Sequence, residues 1–416
     1  MRDNQVFRGL KVADFAWAAT GPMVSRTLGE HGATVVHVES HARFTVSRLT
    51  QPFKDGLPGI DRSAHGAKLN TNKYGMSLDL TKPQGREVAK RLIRWADVVT
   101  ESFRPGTMKK WGLDYEAARA IKPDIIYFST SMQGQSGPHT LFGAYGAQLT
   151  CLSGFSLPTG HPDREPVVLY GAYTDWVSAP HLTIAVIGAL IRRRKTGRGM
   201  YLDQSQYESG VTFLAAAILD YQVNGRVAGR RGNRDDHAAP HGAYRCQGDN
   251  RWVAIAVCSD EQWSAFGLAI GRPEWARDAK FTTLAGRKAH EAELDERIAA
   301  WTVEQRAEEV MGLLQRHGVP AGVVQHSGDL FTDPQLQHRE HFVRLEHREI
   351  GSHAYANESI RFSKTPPVFW KAGPCLGEDN EYVYRDLLGY SEDEISDLMA
   401  DGVITFETGE EVGAAL

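Results

Sequence analysis

At 416 residues the chain exceeds what one ordinary hydrophobic core accommodates, so two domains are expected. Hydrophobic residues at 42% and charged residues at 24% describe a soluble globular protein, and a formal net charge of −4 argues against nucleic acid as the main partner. The four cysteines, Cys151, Cys246, Cys258 and Cys375, form no C-x-x-C pair, so neither a zinc ribbon nor a disulfide scaffold is indicated and a reducing cytoplasm fits.

The start, Met1-Arg-Asp-Asn-Gln5, is polar and lacks the apolar core of a signal peptide. Leu10-Lys-Val-Ala-Asp14-Phe15 reads as a strand, and Gly21-Pro22 opens a helix because Pro suits its first position. That helix ends near His31-Gly32, and Thr34–Glu39 is a second strand. Strand, helix and strand in succession make a βαβ unit with parallel pairing and a right-handed crossover. The pattern recurs: a helix over 83–95, a strand over 96–100, a helix around 115–120 and a strand over 125–129. Such alternation predicts a doubly wound α/β domain whose ligands sit at the carboxyl ends of the strands. No G-x-G-x-x-G follows the first strand, and no P-loop or G-x-S-x-G elbow occurs, so the fold reads as Rossmann-like without a dinucleotide fingerprint.

Asp175 precedes the longest nearly apolar run, His181–Ile191, which closes in Arg192-Arg-Arg-Lys195 and Gly197. A run of about eleven residues is too short to span a bilayer, and no membrane association is expected. A carboxylate at the start of a buried helix either caps it or is aimed outward, and the local sequence by itself favours the cap. The arginine-rich end is a cationic last turn or a phosphate site. Past Tyr221, the segment 224–237 is rich in glycine and arginine. It marks a linker, or a loop in which Arg230, Arg231 and Arg234 clamp a carboxylate. Gly242–Cys246 and Trp252–Val257 read as paired strands, with helical segments near 261–269 and 292–316. These readings place a large Rossmann-like domain at 1–225, completed by about 335–416, and a smaller α+β domain at 235–330. His338, His341, His347 and His353 give no H-E-x-x-H, and no metal is expected. Trp17 and Tyr173 line an acyl pocket or pack in the core.

Taken together, Asp14-Phe with Gly21-Pro22, Gly32–Glu39, Asn72-Lys73 with Leu78-Asp79-Leu80, Ala96–Gly106, Trp111-Gly-Leu113, Ser153-Gly154, Asp175, Lys195–Gly199, Gly318–Gly322, Asp333–Leu336 and Leu376-Gly-Glu378 form an ordered set along nearly the whole chain. This set resembles the class III CoA-transferases, the family that includes formyl-CoA transferase and carnitine CoA-transferase. The resemblance implies that Asp175 is a nucleophile carrying an aspartyl-CoA thioester. It also implies an acyl-CoA donor and a small, possibly dicarboxylic, acid acceptor, and an interlocked ring-like homodimer with CoA at the subunit interface. CoA is then substrate, and no metal is needed. Contacts to CoA carry over to Leu78, Asp79 and Thr81 near the adenine, to Ser102, Phe103 and Arg104, to Lys110 near the phosphates, and to Tyr145. Ala19 and Thr20 stand near the reacting acyl group.

The chain departs from the pattern in several places. Ala19-Thr20 stands where formyl-CoA transferase has Gln-Ala, removing an amide donor. Ser102 replaces Asn, and Lys110 replaces an arginine, keeping the cation without its bidentate fork. Ser40 replaces a CoA-contacting arginine, for which Arg43 or Arg48 can substitute. The shielding glycine loop is missing, with Arg231–Ala239 in its neighbourhood, so oxalate is not the expected acceptor.

Two alternatives remain. An α-methylacyl-CoA racemase shares the fold and uses an Asp with a His to move an α-proton. The stretch Gly143-Ala-Tyr-Gly-Ala-Gln148, where that His would sit, carries neither His nor acid. A non-catalytic CoA-binding subunit is the other, and a retained Asp175 speaks against it.

Overall fold

The computed structural model describes residues 4–405, in two units. The first comprises the chain up to Ser156, Val168–Val227 and the chain from Glu340; the second comprises Leu157–Val167 and Ala228–Arg339.

The first unit is built on six parallel strands: β1 (Lys11–Phe15), β2 (Thr34–Glu39), β3 (Lys73–Ser77), β4 (Val98–Glu101), β5 (Ile126–Ser131) and β6 (Met200–Ser205), in the order β3-β2-β1-β4-β5-β6. Side chains alternate across the sheet. Val12, Val35, Val98, Ile126 and Phe128 pack on one face, and Ala13, Phe15, Val36, Val38, Val99 and Tyr127 on the other. A parallel sheet needs both faces covered. The first face is covered by α1 (Thr20–Glu30) and, later in the chain, by a long helix contributing Ala179, Leu182, Val186 and Ala189. The helices in between are α2 (Ala64–Leu69), α3 (Pro83–Trp95), α4 (Thr107–Trp111), α5 (Tyr115–Ile121) and α6 (Gly146–Leu152). Of these, α3 and α5 supply Val88, Leu92, Ile93 and Ala118 to the second face.

The long helix, α7 (Tyr173–Thr196), has 24 residues, far more than the apolar run marks, and is long and apolar enough by composition to cross a membrane. One stripe of it, Ala179, Leu182, Val186 and Ala189, is buried in the core shared with α1, while Ile184 and Ile191 on other faces are exposed. Its last turn is held down: Arg193 donates to Asp124 at 2.9 Å and Asp97 at 3.0 Å, and Gly197 closes it in a left-handed conformation (φ 67°). Of the cationic end, Arg193 is a structural clamp, while Arg192, Arg194 and Lys195 are exposed to solvent. α8 (Gln206–Phe213) and α9 (Ala215–Asn224) follow β6.

In the second unit, β7 (His241–Arg245), β8 (Trp252–Ala256) and β9 (Ala321–Val323) form an antiparallel sheet. It shares a core with α10 (Asp260–Ala269), α12 (Glu291–Thr302) and α13 (Ala307–Arg316); α11 (Leu284–Ala289) and α14 (Pro334–His338) complete the unit. The arginine-rich segment sits here, where Arg231 pairs with Asp236 at 2.8 Å and Arg230 donates to the Leu157 carbonyl at 3.1 Å.

The chain then returns to the first unit through the hairpin β10 (Phe342–His347) and β11 (Gly351–Ala356), and the last helix among the described residues is α15 (Glu392–Ala400). On the way it covers the open edge of β3, which is the outer strand. Gly75 N–H donates to Asp379 at 2.7 Å and Ser77 N–H to Asn380 at 2.8 Å, so the edge is occupied by side chains.

Candidate active site

Strand order reverses between β1 and β4, so the loops after them diverge and leave a crevice at the carboxyl end of the sheet. A cavity of about 250 Å³ lies there. It is lined by Trp17–Thr20 after β1, Ser102–Pro105 after β4, Thr130–Met132 at the end of β5, Phe142–Gly146, Asp175 and Gln206.

The β1–α1 turn is shaped by a buried polar knot beneath it. Asp14, fully buried, accepts from Ser25 (2.7 Å), Thr100 (2.6 Å) and Lys73 (2.9 Å), contacts His37 (3.0 Å), and takes the Ala16 N–H (3.1 Å). Burial by itself would raise the Asp14 carboxyl; Lys73 and His37 outweigh it and hold the group well below the usual carboxylate range. Above the knot, Ser102 accepts from Trp17 N–H at 2.8 Å and donates to the Trp17 carbonyl at 2.7 Å. Ala18 is left-handed (φ 65°), with its N–H bonded to Thr45 at 3.0 Å. Gly21 can be nothing else, since a Cβ there would lie 2.4 Å from that of Ala16. Ala19 caps α1 without a side-chain bond, and no acid stands in the first turn. The helix thus presents its positive end beside the cavity.

Asp175 occupies the third position of α7, whose cap is Ala172 with no side-chain bond, so Asp175 does not cap the helix. Its backbone is fixed on two sides: Thr20 donates to the Asp175 carbonyl at 3.2 Å, and Thr174 donates to the Gly146 carbonyl at 3.2 Å. The half-buried carboxylate lines the cavity, and no ion pair or side-chain hydrogen bond holds it among the described residues. Burial alone pushes its carboxyl up to about 6, so it is still mostly ionised at neutral pH.

The structure gathers Ala19, Thr20, Ser102, Phe103, Arg104, Tyr145 and Asp175 around this one cavity. The others lie elsewhere. Leu78 is a core residue and Asp79 is buried, spending its carboxylate on Thr81 at 2.9 and 2.6 Å, while Thr81 itself is exposed. These three follow β3, further along the same carboxyl edge. Lys110 is exposed on α4, away from the lining. Arg48 does not replace the missing arginine: it is buried and committed to Glu39, Asp61 and the Pro374 carbonyl, leaving the exposed Arg43 as the cation near Ser40. Trp17 lines the cavity with its ring against Phe103, whereas Tyr173 packs on Phe155 and Phe213. Gly146, Ser131 and Gln206 belong to the lining and escape the sequence reading, since none carries a local signature. No histidine is among the lining residues, and no cluster of three or more His, Cys, Asp or Glu among the described residues is arranged to hold a metal.

Comparison with known proteins agrees along the whole length. The sequence profile of CoA-transferase family III matches residues 7–380. The chain is 31% identical over 403 residues to the succinyl-CoA–D-citramalate CoA-transferase of Chloroflexus aurantiacus, covering 95% of this chain and 97% of that one. It is 29% identical over 381 residues to the succinate–glutarate CoA-transferase of Agrobacterium fabrum, covering 91% and 95%. Against the formyl-CoA:oxalate CoA-transferase of Escherichia coli it is 28% identical over 410 residues, covering 94% and 97%. A CAIB/BAIF family protein from Brucella suis superposes with a TM-score of 0.85 at 30% identity, covering 92% of this chain and 100% of that one. The protein is an enzyme of the acyl-CoA:carboxylate CoA-transferase class. The chain belongs to CoA-transferase family III.

Proposed function

We propose that the enzyme moves CoA between two small carboxylic acids through a covalent thioester on Asp175. The observation that carries this is the placement of a carboxylate, unpaired among the described residues, in the switch-point cavity beside the positive end of α1. A carboxylate oxygen of Asp175 attacks the donor thioester carbonyl; the C–S bond breaks, giving a mixed anhydride and CoA thiolate. The thiolate attacks the aspartyl carbonyl, the anhydride C–O bond breaks, and the donor acid leaves as its carboxylate. The aspartyl-CoA thioester then meets the acceptor carboxylate and the steps run in reverse. Backbone N–H groups of the first turn of α1 are suited to the charge developing on the attacked carbonyl oxygen. Ala19 and Thr20 offer no side-chain amide there, so this backbone contribution matters more in this chain. The CoA thioester bond energy is kept within the cycle provided water is excluded.

Succinyl-CoA is the proposed donor class, because relatives that match along the full length are named for succinyl-CoA or succinate. The acceptor is a small acid, with a dicarboxylate favoured. We further propose a cytoplasmic homodimer. The four cysteines are free thiols. None of the residues of α9 is buried, leaving Ile218, Leu219, Tyr221 and Val223 open for a second subunit to cover. The site residues carried by resemblance, Leu78, Asp79, Thr81 and Lys110 included, are proposed CoA contacts. For Leu78 and Asp79 such contact would run through the backbone, since their side chains are buried.

A racemase reading is disfavoured by the absence of histidine from the lining around Asp175. Hydroxylamine added during turnover tests the covalent step. The expected result is a hydroxamate on Asp175, seen by mass spectrometry of the digested protein. Asp175→Ala should lose transfer by more than about a hundredfold while still binding CoA. Retained transfer in that variant would remove the mechanism, and solvent deuterium entering the α-carbon of an acyl-CoA would restore the racemase.

A further inference from the structure

Two polar side-chain atoms in the cavity wall stand without a partner among the described residues. Ser131 ends β5 and Gln206 opens α8 directly after β6, and the strand register sets Ser131 opposite Ser205. They are 8% and 6% exposed. The Ser131 hydroxyl and the Gln206 carbonyl oxygen are buried and have no hydrogen-bond partner among the described residues. The groups around them are otherwise engaged: Thr130 donates to Gln204 at 3.0 Å, Gln204 donates to the Ser178 carbonyl at 2.8 Å, and Ser205 accepts from Glu208 N–H at 3.2 Å. A buried polar atom left unpaired is destabilising, so its retention at a cavity wall calls for a ligand atom that pairs with it.

The place in the sheet says which part of the ligand that is. The loops after β2 and β3, where the resemblance puts the nucleotide end of CoA, lie on one side of the β1/β4 crevice. Ser131 and Gln206 lie on the other side, after β5 and β6, and share the cavity with Asp175. We infer that Ser131 and Gln206 form a polar subsite for an oxygen function on the acid that gives up or takes up CoA, beyond its reacting carboxyl group. The Ser131 hydroxyl donates or accepts and the unpaired Gln206 oxygen accepts, so a hydroxyl on the ligand satisfies both, while a carboxylate oxygen takes its hydrogen bond from Ser131. An unsubstituted alkyl chain leaves both side chains unsatisfied and is rejected for that reason. The inference rests on the reading of Asp175 as the site of transfer.

The test uses the full chain with succinyl-CoA as donor and two matched pairs of acceptors: butyrate against 3-hydroxybutyrate, and valerate against glutarate. The members of each pair differ only in the oxygen function. The expected wild-type preference for the oxygen-bearing member of at least one pair is roughly tenfold or more in kcat/KM. In Ser131→Ala and Gln206→Leu that preference should collapse towards one, mainly through KM. Thermal unfolding checks that each variant is folded, and Gln206→Asn serves where Gln206→Leu is not. A wild type without preference in either pair, transfer to none of the four acids included, overturns the proposal. So do variants whose kcat/KM for the acceptor falls by the same factor with all four acids, because that quantity is independent of the donor half-reaction and an even loss is the mark of a structural role. Transfer surviving in Asp175→Ala would strike the nucleophile and leave the preference ratios readable. Unmoved ratios with Asp175 essential would strike only the subsite.

Discussion

Gly146 stands directly against the carboxylate of Asp175: a Cβ on Gly146 would fall 2.7 Å from Oδ2 and 2.4 Å from the Cβ of Ala172. Two helix starts, α6 and α7, are thereby brought together with no side chain between them, and Thr174 locks the pair by donating to the Gly146 carbonyl. The close approach leaves the carboxylate half-buried with one open side, the cavity.

Gly146→Ala must therefore push Asp175 and Ala172 apart. The expected cost is about 1–3 kcal/mol of stability, as for other overpacked positions. A displaced nucleophile should lower kcat by at least tenfold, since misplacement near an ångström is costly. Thermal unfolding and steady-state rates measure the two effects; an unchanged kcat would mean that the carboxylate has room to move.

The pH dependence follows from burial of Asp175. The attacking form is the carboxylate, and its carboxyl is raised from 3.8 to about 6. Transfer should accordingly be full above about pH 7 and fall tenfold per pH unit below about 6. The stability effect has the opposite sense. Because the folded value lies above the unfolded one, ionised Asp175 destabilises the fold above about pH 6, and this penalty fades as pH falls towards 4. Asp175→Asn should thus be inactive yet more stable at pH 7.5 by about 1–2 kcal/mol, a figure kept below the full shift because the group is only half-buried. Denaturant curves at pH 7.5 and 4 check both the gain and its disappearance.

Ser102 shows how a departure from the family pattern is used. Both hydrogen bonds of its hydroxyl go to the backbone of Trp17, so the side chain braces the β1–α1 turn. Ser102→Ala strands a partly buried N–H and C=O and should cost about 1–2 kcal/mol. It should also raise KM for the acyl-CoA, because Trp17 to Thr20 form one wall of the cavity. Equal KM values for variant and wild type would show that the wall holds its shape without the serine.

Much of the first unit was legible because four of its strands combine short apolar runs with turn signals on either side. β3 was not: Lys73-Tyr-Gly-Met-Ser77 reads as polar, although all but Tyr74 is buried. Its lysine is neutralised by Asp14 and its glycine makes room for Pro374, both distant in sequence. β6 escaped because, as an edge strand, it is largely unburied. Residues 157–167 join the second unit through contacts such as Gly232 N–H to the Gly160 carbonyl at 2.8 Å, which no local pattern announces. Within the site, the resemblance singled out Asp175 where the residues alone favoured a cap. Gly146, Ser131 and Gln206 are ordinary residues whose place in the site comes from the convergence of α6, β5 and α8.

Lys73 provides the most discriminating test of what lies under the site. It is fully buried and donates to Asp14 (2.9 Å), the Pro22 carbonyl (3.0 Å) and Asn70 (2.8 Å). Lys73→Met leaves Asp14 charged, buried and short of its main counter-ion, a loss of about 3–5 kcal/mol. Pairing it with Asp14→Asn removes the stranded charge and should recover part of that loss, giving a favourable interaction energy in a double-mutant cycle. The sign with pH is also fixed. In the wild type the Asp14 carboxyl is depressed, so its contribution is present above the unfolded value of 3.8 and is lost as pH falls through the folded one. In Lys73→Met the carboxyl is no longer held down, and the deficit against wild type should narrow between pH 7 and 4.5 as Asp14 takes up a proton. Urea unfolding of the four proteins at those two pH values decides it: a deficit that does not change with pH would place the effect in packing of the lysine stem instead of in the charge pair.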